Sequence, residues 1–363
     1  MAKSLMKYHP RLGQTYMPST RIRVPGPSGG FLVRTNAAGF RSDREVRQTC
    51  DPSVFRVLLF GDSQTAGDGL SNAQRYSDLL EAAVPGLEVE NCAVSGTATD
   101  QQYLTWKEMA PATPHDLVII AVYVENIRRI MRRVVKVRDA REAEVYRAKP
   151  YFELDGERLV LGNVPVRKQP WTDATLPDEL RSHVFYYGQE NILFKNPSRR
   201  LLALKRALAP LGPLRRVAKR LLTRLVKFQP VPEYDRRQSP AWLLMRQILK
   251  TWIAESHVPV LLMPLPLYFS LHGLSDARNY QARFTELAEE TGCTLLDPLP
   301  EFLKLPQNKR AAVWSDAFGH LSASGHQMIA ELLRTSVARF MAGRSVPRHG
   351  PPNVVPQSND HWP

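Results

Sequence analysis

Apolar residues fall along this chain in short, nearly continuous runs, and the segments between them carry apolar residues at helical spacing. Residues 54–60 (V-F-R-V-L-L-F) are interrupted only by Arg56, the pattern of a strand buried on both faces rather than of one side of a helix. The run stops at Gly61-Asp62-Ser63. Helical spacing covers residues 73–84, with Leu79, Leu80 and Ala83 on one side and Pro85-Gly86 ending the helix. Residues 87–91 predict a second strand, 100–109 a helix, and 116–123 (D-L-V-I-I-A-V-Y) the most apolar strand of all. Strand alternating with helix at this spacing predicts a parallel, doubly wound sheet with helices on both faces, a three-layer α/β/α architecture.

From about residue 138 to 237 the alternation lapses, which marks an insertion. Residues 151–166 predict a β-hairpin with Asp155-Gly156 at its turn. The alternation then resumes: a helix over 241–256, a strand over 258–263, a helix over 279–291, a strand over 294–297 and a closing helix over 322–341. Residues 1–50, rich in Pro, Gly and Arg, predict an irregular or hairpin-forming extension packed on the main domain of residues 51–343. The Pro-rich stretch 344–363 predicts a disordered tail.

Composition changes this picture little until charge is mapped. The chain has 363 residues, 43% hydrophobic and 23% charged, enough for a sizeable core. Three cysteines, Cys50, Cys92 and Cys293, form neither a disulfide framework nor a zinc spacing. Residues 1–18 have no apolar core of signal-peptide length, and no run of eighteen apolar residues occurs anywhere, so a reducing cytoplasm is the expected compartment. The net charge of +14 belongs to one place: residues 195–227 contain eleven Lys and Arg and no acid. Within them Leu214, Val217, Ala218, Leu221, Leu225 and Phe228 take helical spacing opposite Arg215, Arg216, Lys219, Arg220, Arg224 and Lys227, a basic amphipathic helix. Three roles stay open for residues 195–228: a solvated lid over the site, a helix lying peripherally on an anionic membrane, or a dock for an acidic partner. Nucleic acid is disfavoured, since no recognised binding module accompanies the charge.

Candidate chemistry collects at predicted strand ends. Gly26-Pro27-Ser28-Gly29-Gly30 matches G-x-S-x-G, but no strong strand precedes it and no helix follows, so it is rejected as a nucleophile elbow. Four other segments do lie at strand ends: Gly61-Asp62-Ser63, Gly96, Asn126, and Asp316-Ala317-Phe318-Gly319-His320-Leu321. In that order and spacing they resemble the SGNH, or GDSL-type, serine hydrolase superfamily. The resemblance covers roughly residues 51–137 and 240–339 and implies a flavodoxin-like strand order. It implies Ser63 as nucleophile, His320 as base, and Ser63, Gly96 and Asn126 as oxyanion donors. A serine hydroxyl needs an imidazole to take its proton, and backbone and amide donors to hold the developing charge.

Two departures accompany the resemblance. The orienting Asp usually stands three residues before the His, where this chain has Ala317; Asp316 either completes the triad across a longer loop, or the chemistry is a Ser-His dyad. Ile127 follows Asn126 where an Asp is common. Asp62 is expected to shape its turn rather than act as an acid, and His326 to be a core or helix-start histidine. Residues 264–274 follow a strand, so Tyr268, Phe269 and Leu271 could line an apolar substrate pocket or belong to a plain surface loop. No metal or nucleotide signature is present, and no cofactor is expected. The sequence reading is a serine esterase acting on an acetyl or short acyl ester of a carbohydrate or lipid-like alcohol. The alternatives are acyl transfer to a sugar or metabolite alcohol, and a catalytically silent binding protein on the same scaffold.

Overall fold

The computed structural model describes residues 5–25, 29–49, 51–139, 142–186, 229–315 and 319–344. The basic segment 195–228, Asp316, Ser28 and the tail beyond residue 344 lie outside the described residues, and so do the expectations attached to them.

Two antiparallel hairpins come first: β1 (Met6–His9) with β2 (Gly13–Tyr16), then β3 (Arg21–Val24) with β4 (Phe31–Arg34). The alternating core follows, with β5 (Phe55–Phe60), α1 (Ser63–Ala66), α2 (Tyr76–Ala83), β6 (Leu87–Asn91), α3 (Thr99–Met109), β7 (Leu117–Tyr123) and α4 (Asn126–Arg129). The chain then leaves the sheet for β8 (Val134–Arg138), β9 (Glu144–Ala148), the hairpin β10 (Tyr151–Asp155) and β11 (Arg158–Gly162), α5 (Asp178–Arg181) and β12 (Val184–Tyr186). It returns through α6 (Pro240–Glu255), β13 (Val260–Leu265), α7 (Tyr268–Leu271), α8 (Arg278–Thr291), β14 (Thr294–Leu295), α9 (Leu299–Lys304) and α10 (Gln307–Arg310). The short pair β15 (Trp314–Ser315) and β16 (His320–Leu321) precedes the last helix, α11 (Ala323–Ala342).

The central sheet has the order β14-β13-β7-β5-β6 with every pair parallel. Counted along the core this is 2-1-3-4-5, a flavodoxin-like doubly wound sheet, as the alternation and the resemblance imply. All six residues of β5, all seven of β7 and all six of β13 are buried, which is what an apolar run without polar alternation requires. Helix α2 packs against α11, and α6 against α3 and α8; right-handed crossovers put the two groups on opposite faces of the sheet. The order reverses between β5 and β7, and the crevice beyond their carboxyl ends is where such sheets hold ligands.

Element ends shift by up to four residues from the sequence expectation, the hairpin expected to reach 166 ending at Gly162, and one shift has a physical cause. The strand expected to stop at Met263 runs on through Pro264 to Leu265, pairing with β7 as far as Tyr123. Proline survives there because β14 pairs only with Leu261 and Leu262, so beyond that point one side of β13 carries no ladder. The expected strand over 294–297 is correspondingly reduced to Thr294–Leu295.

The segment between the two halves of the core adds a small sheet, β12-β8-β9, and is moored to the core by a buried ion pair from Lys149 Nζ to Asp100 Oδ2 at the start of α3. Lys149 also donates to Arg132 O, and Arg128 of α4 bonds Glu233 where the chain rejoins the core. Among the described residues no helix is long and apolar enough to cross a membrane.

Candidate active site

Strand β5 delivers the chain to Gly61, where it must turn into a helix within one residue. A Cβ at Gly61 would stand 2.1 Å from Thr65 Oγ1, so only glycine allows that approach. Asp62 is the N-cap of α1: its Oδ1 accepts from Gln64 N at 3.0 Å, leaving Ser63 as the first residue of the helix. The other oxygen of Asp62 accepts from Arg129 Nη1 at 3.2 Å, and Arg129 Nη2 donates to Glu125 Oε2 at 2.7 Å. Burial raises the Asp62 carboxyl above its usual range, against the pull of Arg129. Both oxygens are engaged in shaping the turn, the role the sequence analysis assigns to it.

His320 Nε2 lies 2.8 Å from Ser63 Oγ. The histidine sits on a two-residue strand, and a two-residue ladder is a weak support. Gln64, the residue after Ser63, reinforces it from the other side: its Nε2 donates to Gly319 O at 3.2 Å and its Oε1 accepts from Leu321 N at 3.0 Å. The residues flanking the histidine are thus held by the residue flanking the serine. His320 Nδ1 is buried and has no hydrogen-bond partner among the described residues. Asp316, expected to orient that nitrogen, lies outside them.

The other expected site residues divide. Gly96 borders the same cavity as Ser63 and His320, with φ +77°, a backbone conformation that glycine adopts without strain. Asn126, the first residue of α4, is fully buried, and neither polar atom of its side chain has a partner among the described residues. It does not line the cavity; Tyr123 and Arg129, on either side of it in sequence, do. His326 is fully buried, accepts from Tyr76 N through Nδ1 at 3.0 Å and stacks on the Tyr76 ring. Burial and the charges of Arg75 and Arg41 push it down to about 3, so it is a neutral core residue.

The cavity holds about 770 Å³. Tyr268 and Phe269 of α7 border it, beside Trp314, whose ring lies 5.8 Å from that of Tyr268. Leu271, grouped with them in the sequence analysis, is instead fully buried in the core: two residues on from Phe269, it points to the other side of the short helix. The N-terminal extension also lines the cavity, through Leu5, Met6, Tyr16, Phe31, Val33 and Arg41 among others. Nothing in the pattern of residues 1–50 marked them for the site. Arg41 and Tyr16 are buried, but Arg41 is one of several arginines in that segment, so no sequence signal sets them apart.

The arrangement pairs a serine with a histidine in the lining of a large, mainly apolar cavity, at the edge where such sheets hold ligands. Solved structures of similar fold include lipolytic proteins of the G-D-S-L family. The chain is similar to a lipolytic protein of the G-D-S-L family from Veillonella parvula (9% identity over 79% of this chain and 100% of that one, TM-score 0.39). It is similar also to a lipase/acylhydrolase from Enterococcus faecalis (12%, 82% and 100%, TM-score 0.40) and to an acetylxylan esterase from Geobacillus stearothermophilus (15%, 79% and 96%, TM-score 0.41). No protein-family model matches the chain, and no curated protein matches it in sequence. At such identities and TM-scores a likeness carries no chemistry with it, which must come from the residues themselves.

Proposed function

We propose that this protein is a GDSL-type serine hydrolase that cleaves a carboxylic ester through an acyl-enzyme on Ser63. The observation that carries this is the 2.8 Å contact between Ser63 Oγ and His320 Nε2 at the cavity. Ser63 Oγ attacks the ester carbonyl carbon as its proton passes to His320 Nε2, giving a tetrahedral oxyanion. The amides of Ser63 and Gly96 and the side chain of Asn126 stabilise that charge. The carbon–oxygen bond to the alcohol breaks, and the departing alcohol takes the proton from His320. Water then attacks the acyl group with His320 as base, releasing the carboxylate and restoring Ser63. The role of Asn126 rests on the resemblance and on its side-chain amide having no hydrogen-bond partner among the described residues, and a small side-chain shift is needed to bring that amide to the oxyanion. Asp316 is retained as the residue that orients His320, with a Ser-His dyad as the alternative; Asp316→Asn would lower kcat by about 10²-fold to 10⁴-fold in a triad and leave it nearly unchanged in a dyad.

Tyr268 and Phe269 form the substrate-facing aromatic wall, and the ester is an acetyl or short acyl group on a carbohydrate or lipid-like alcohol. A cavity of about 770 Å³ leaves room for an alcohol beside the acyl group, so transfer to such an alcohol is the second reading. It is separated by whether an added alcohol lowers the yield of free acid.

Intact mass after exposure to a fluorophosphonate tests the proposal. One adduct on the wild type, none on Ser63→Ala and a greatly slowed one on His320→Ala are expected. No adduct on folded wild type would overturn it in favour of a silent binding scaffold.

A further inference from the structure

The loop that carries Gly96 is gripped from outside the core fold. Ser95, the preceding residue, has three polar atoms, and the N-terminal hairpin reaches every one. Its amide N donates to Tyr16 Oη at 3.1 Å, and its carbonyl accepts from Gln14 Nε2 at 3.2 Å. Its hydroxyl lies 2.5 Å from Tyr16 Oη and 2.5 Å from Asp68 Oδ1. The direction of these bonds follows from chemistry. A carboxylate can only accept, so the Ser95 hydroxyl gives its proton to Asp68, and Tyr16 must then give its own to Ser95 Oγ. Tyr16 is fully buried, and burial with the neighbouring Asp68 charge pushes it up to about 12, which keeps that proton in place.

The same extension holds the loop that follows the nucleophile. Arg41, 1% exposed, donates from Nη1 to Ala66 O at 2.7 Å and Gly67 O at 2.9 Å, and from Nη2 to Leu70 O at 2.6 Å. Its Nη1 also stands 4.0 Å from Asp68 Oδ1. The hairpin turn is itself anchored on the start of α3, where Gln101 Nε2 donates to Leu12 O at 2.7 Å and Gln101 Oε1 accepts from Ala98 N at 3.2 Å. Two loops that the sheet delivers separately are therefore tied to one added element and, through Ser95 and Asp68, to each other.

We infer that the N-terminal hairpin is a clamp for the oxyanion site, with Tyr16 as the residue that positions the Gly96 amide through Ser95. This rests on the reading of Gly96 as an oxyanion donor. An amide donor works only when already aimed at the charge that develops, so an error of a few tenths of an ångström at Gly96 lowers the rate of the chemical step while leaving ground-state binding alone. Tyr16 touches the donor's neighbour and not the reacting atoms; its effect is on alignment.

The test is Tyr16→Phe, which keeps the buried ring and removes the one hydroxyl that serves Ser95 as both donor and acceptor. Steady-state kinetics on a p-nitrophenyl ester, well below the unfolding temperature, should show kcat reduced by about 10-fold to 10²-fold with KM within about 2-fold. Affinity for a trifluoromethyl ketone, whose adduct places an oxyanion in the same position, should weaken in step with kcat. Ser95→Ala keeps both backbone bonds to the hairpin and loses only the hydroxyl's bonds to Tyr16 and Asp68, so its loss should be the smaller, about 3-fold. Gln14→Leu, which removes the bond to the Ser95 carbonyl, stands in if Tyr16→Phe does not fold, and should lower kcat about 3-fold to 10-fold with KM unchanged. Unchanged kcat in a folded variant, a change confined to KM, or a larger loss in Ser95→Ala than in Tyr16→Phe would each overturn the clamp. An unlabelled, inactive wild type would instead sink the hydrolase reading, so the two failures are distinct.

Discussion

Arg129 donates to Asp62 at 3.2 Å directly beneath the nucleophile turn, so the residue before Ser63 is pinned by a guanidinium that arrives from the end of a different strand. The contact is shut away from solvent: Asp62 is fully buried, and the Arg129 side chain is only 9% exposed. The guanidinium also lies 5.3 Å from the centre of the Phe185 ring, contributed by the inserted sheet. One side chain thereby joins β5, β7 and the insertion.

Removing that cation strands two carboxylates, Asp62 and Glu125, in a buried site. Arg129→Met should destabilise the fold by about 3–5 kcal/mol, read as a fall in the urea midpoint. Arg129→Lys, with charge but no fork, should fall between it and the wild type. A wild-type midpoint in Arg129→Met would mean that the ion pair contributes nothing net.

Gln64 offers a kinetic counterpart. Its amide holds the backbone on both sides of His320, so Gln64→Ala should lower kcat by about 10-fold through a misplaced imidazole, with little change in overall stability. Gln64→Glu retains the acceptor for Leu321 N but sets a carboxylate against Gly319 O, and should be no better than alanine. Turnover of a p-nitrophenyl ester at the wild-type rate in both would remove Gln64 from the machinery.

His326 makes stability depend on pH in a predictable direction. Its pKa, lowered from 6.5 to about 3 in the folded protein, means that the unfolded chain binds a proton the folded one refuses between those values. The stability is whole above pH 6.5 and is lost as pH falls, by up to about 1.4 kcal/mol per unit until pH reaches about 3. His326→Asn can keep an acceptor for Tyr76 N and removes the titration. The difference between its urea unfolding free energies at pH 7 and pH 4.5 should be smaller than the wild type's by up to about 2–3 kcal/mol. An unchanged difference would show that His326 becomes protonated in the folded state.

The mooring of the insertion is testable by a double-mutant cycle. Lys149→Met leaves Asp100 as an unpaired buried carboxylate and should cost about 3–5 kcal/mol; adding Asp100→Leu should recover most of it, because both charges are then gone. Additive losses in thermal or urea unfolding would show that the two side chains do not act as a pair.

Much of the core was legible because its residues carry their own instructions. A run such as that of β7, apolar at seven consecutive positions, has no choice but a doubly buried strand, and alternation with helices then leaves few topologies. Ser63 and Gly96 follow strands of the sheet, at the edge where such sheets hold ligands, whereas His320 lies well beyond the last of them and was singled out by the resemblance; all three border one cavity. Asn126 was legible as a strand-end residue, yet its side chain is set behind the cavity wall, and Leu271 turned inward. Which way one side chain points depends on packing between elements and not on local spacing.

What the sequence determines by itself is therefore the set of local commitments: strands from unbroken apolar runs, helices from 3.6-residue spacing, and a sharp turn at Gly61. What only the tertiary structure decided is which distant residues meet. Ser63 and His320 are 257 residues apart, and Tyr16 and Ser95 are 79 apart. Those contacts belong to no local period: they are made by single polar side chains, and one such as Tyr16 carries no mark in the sequence until the fold buries it and obliges it to find a partner.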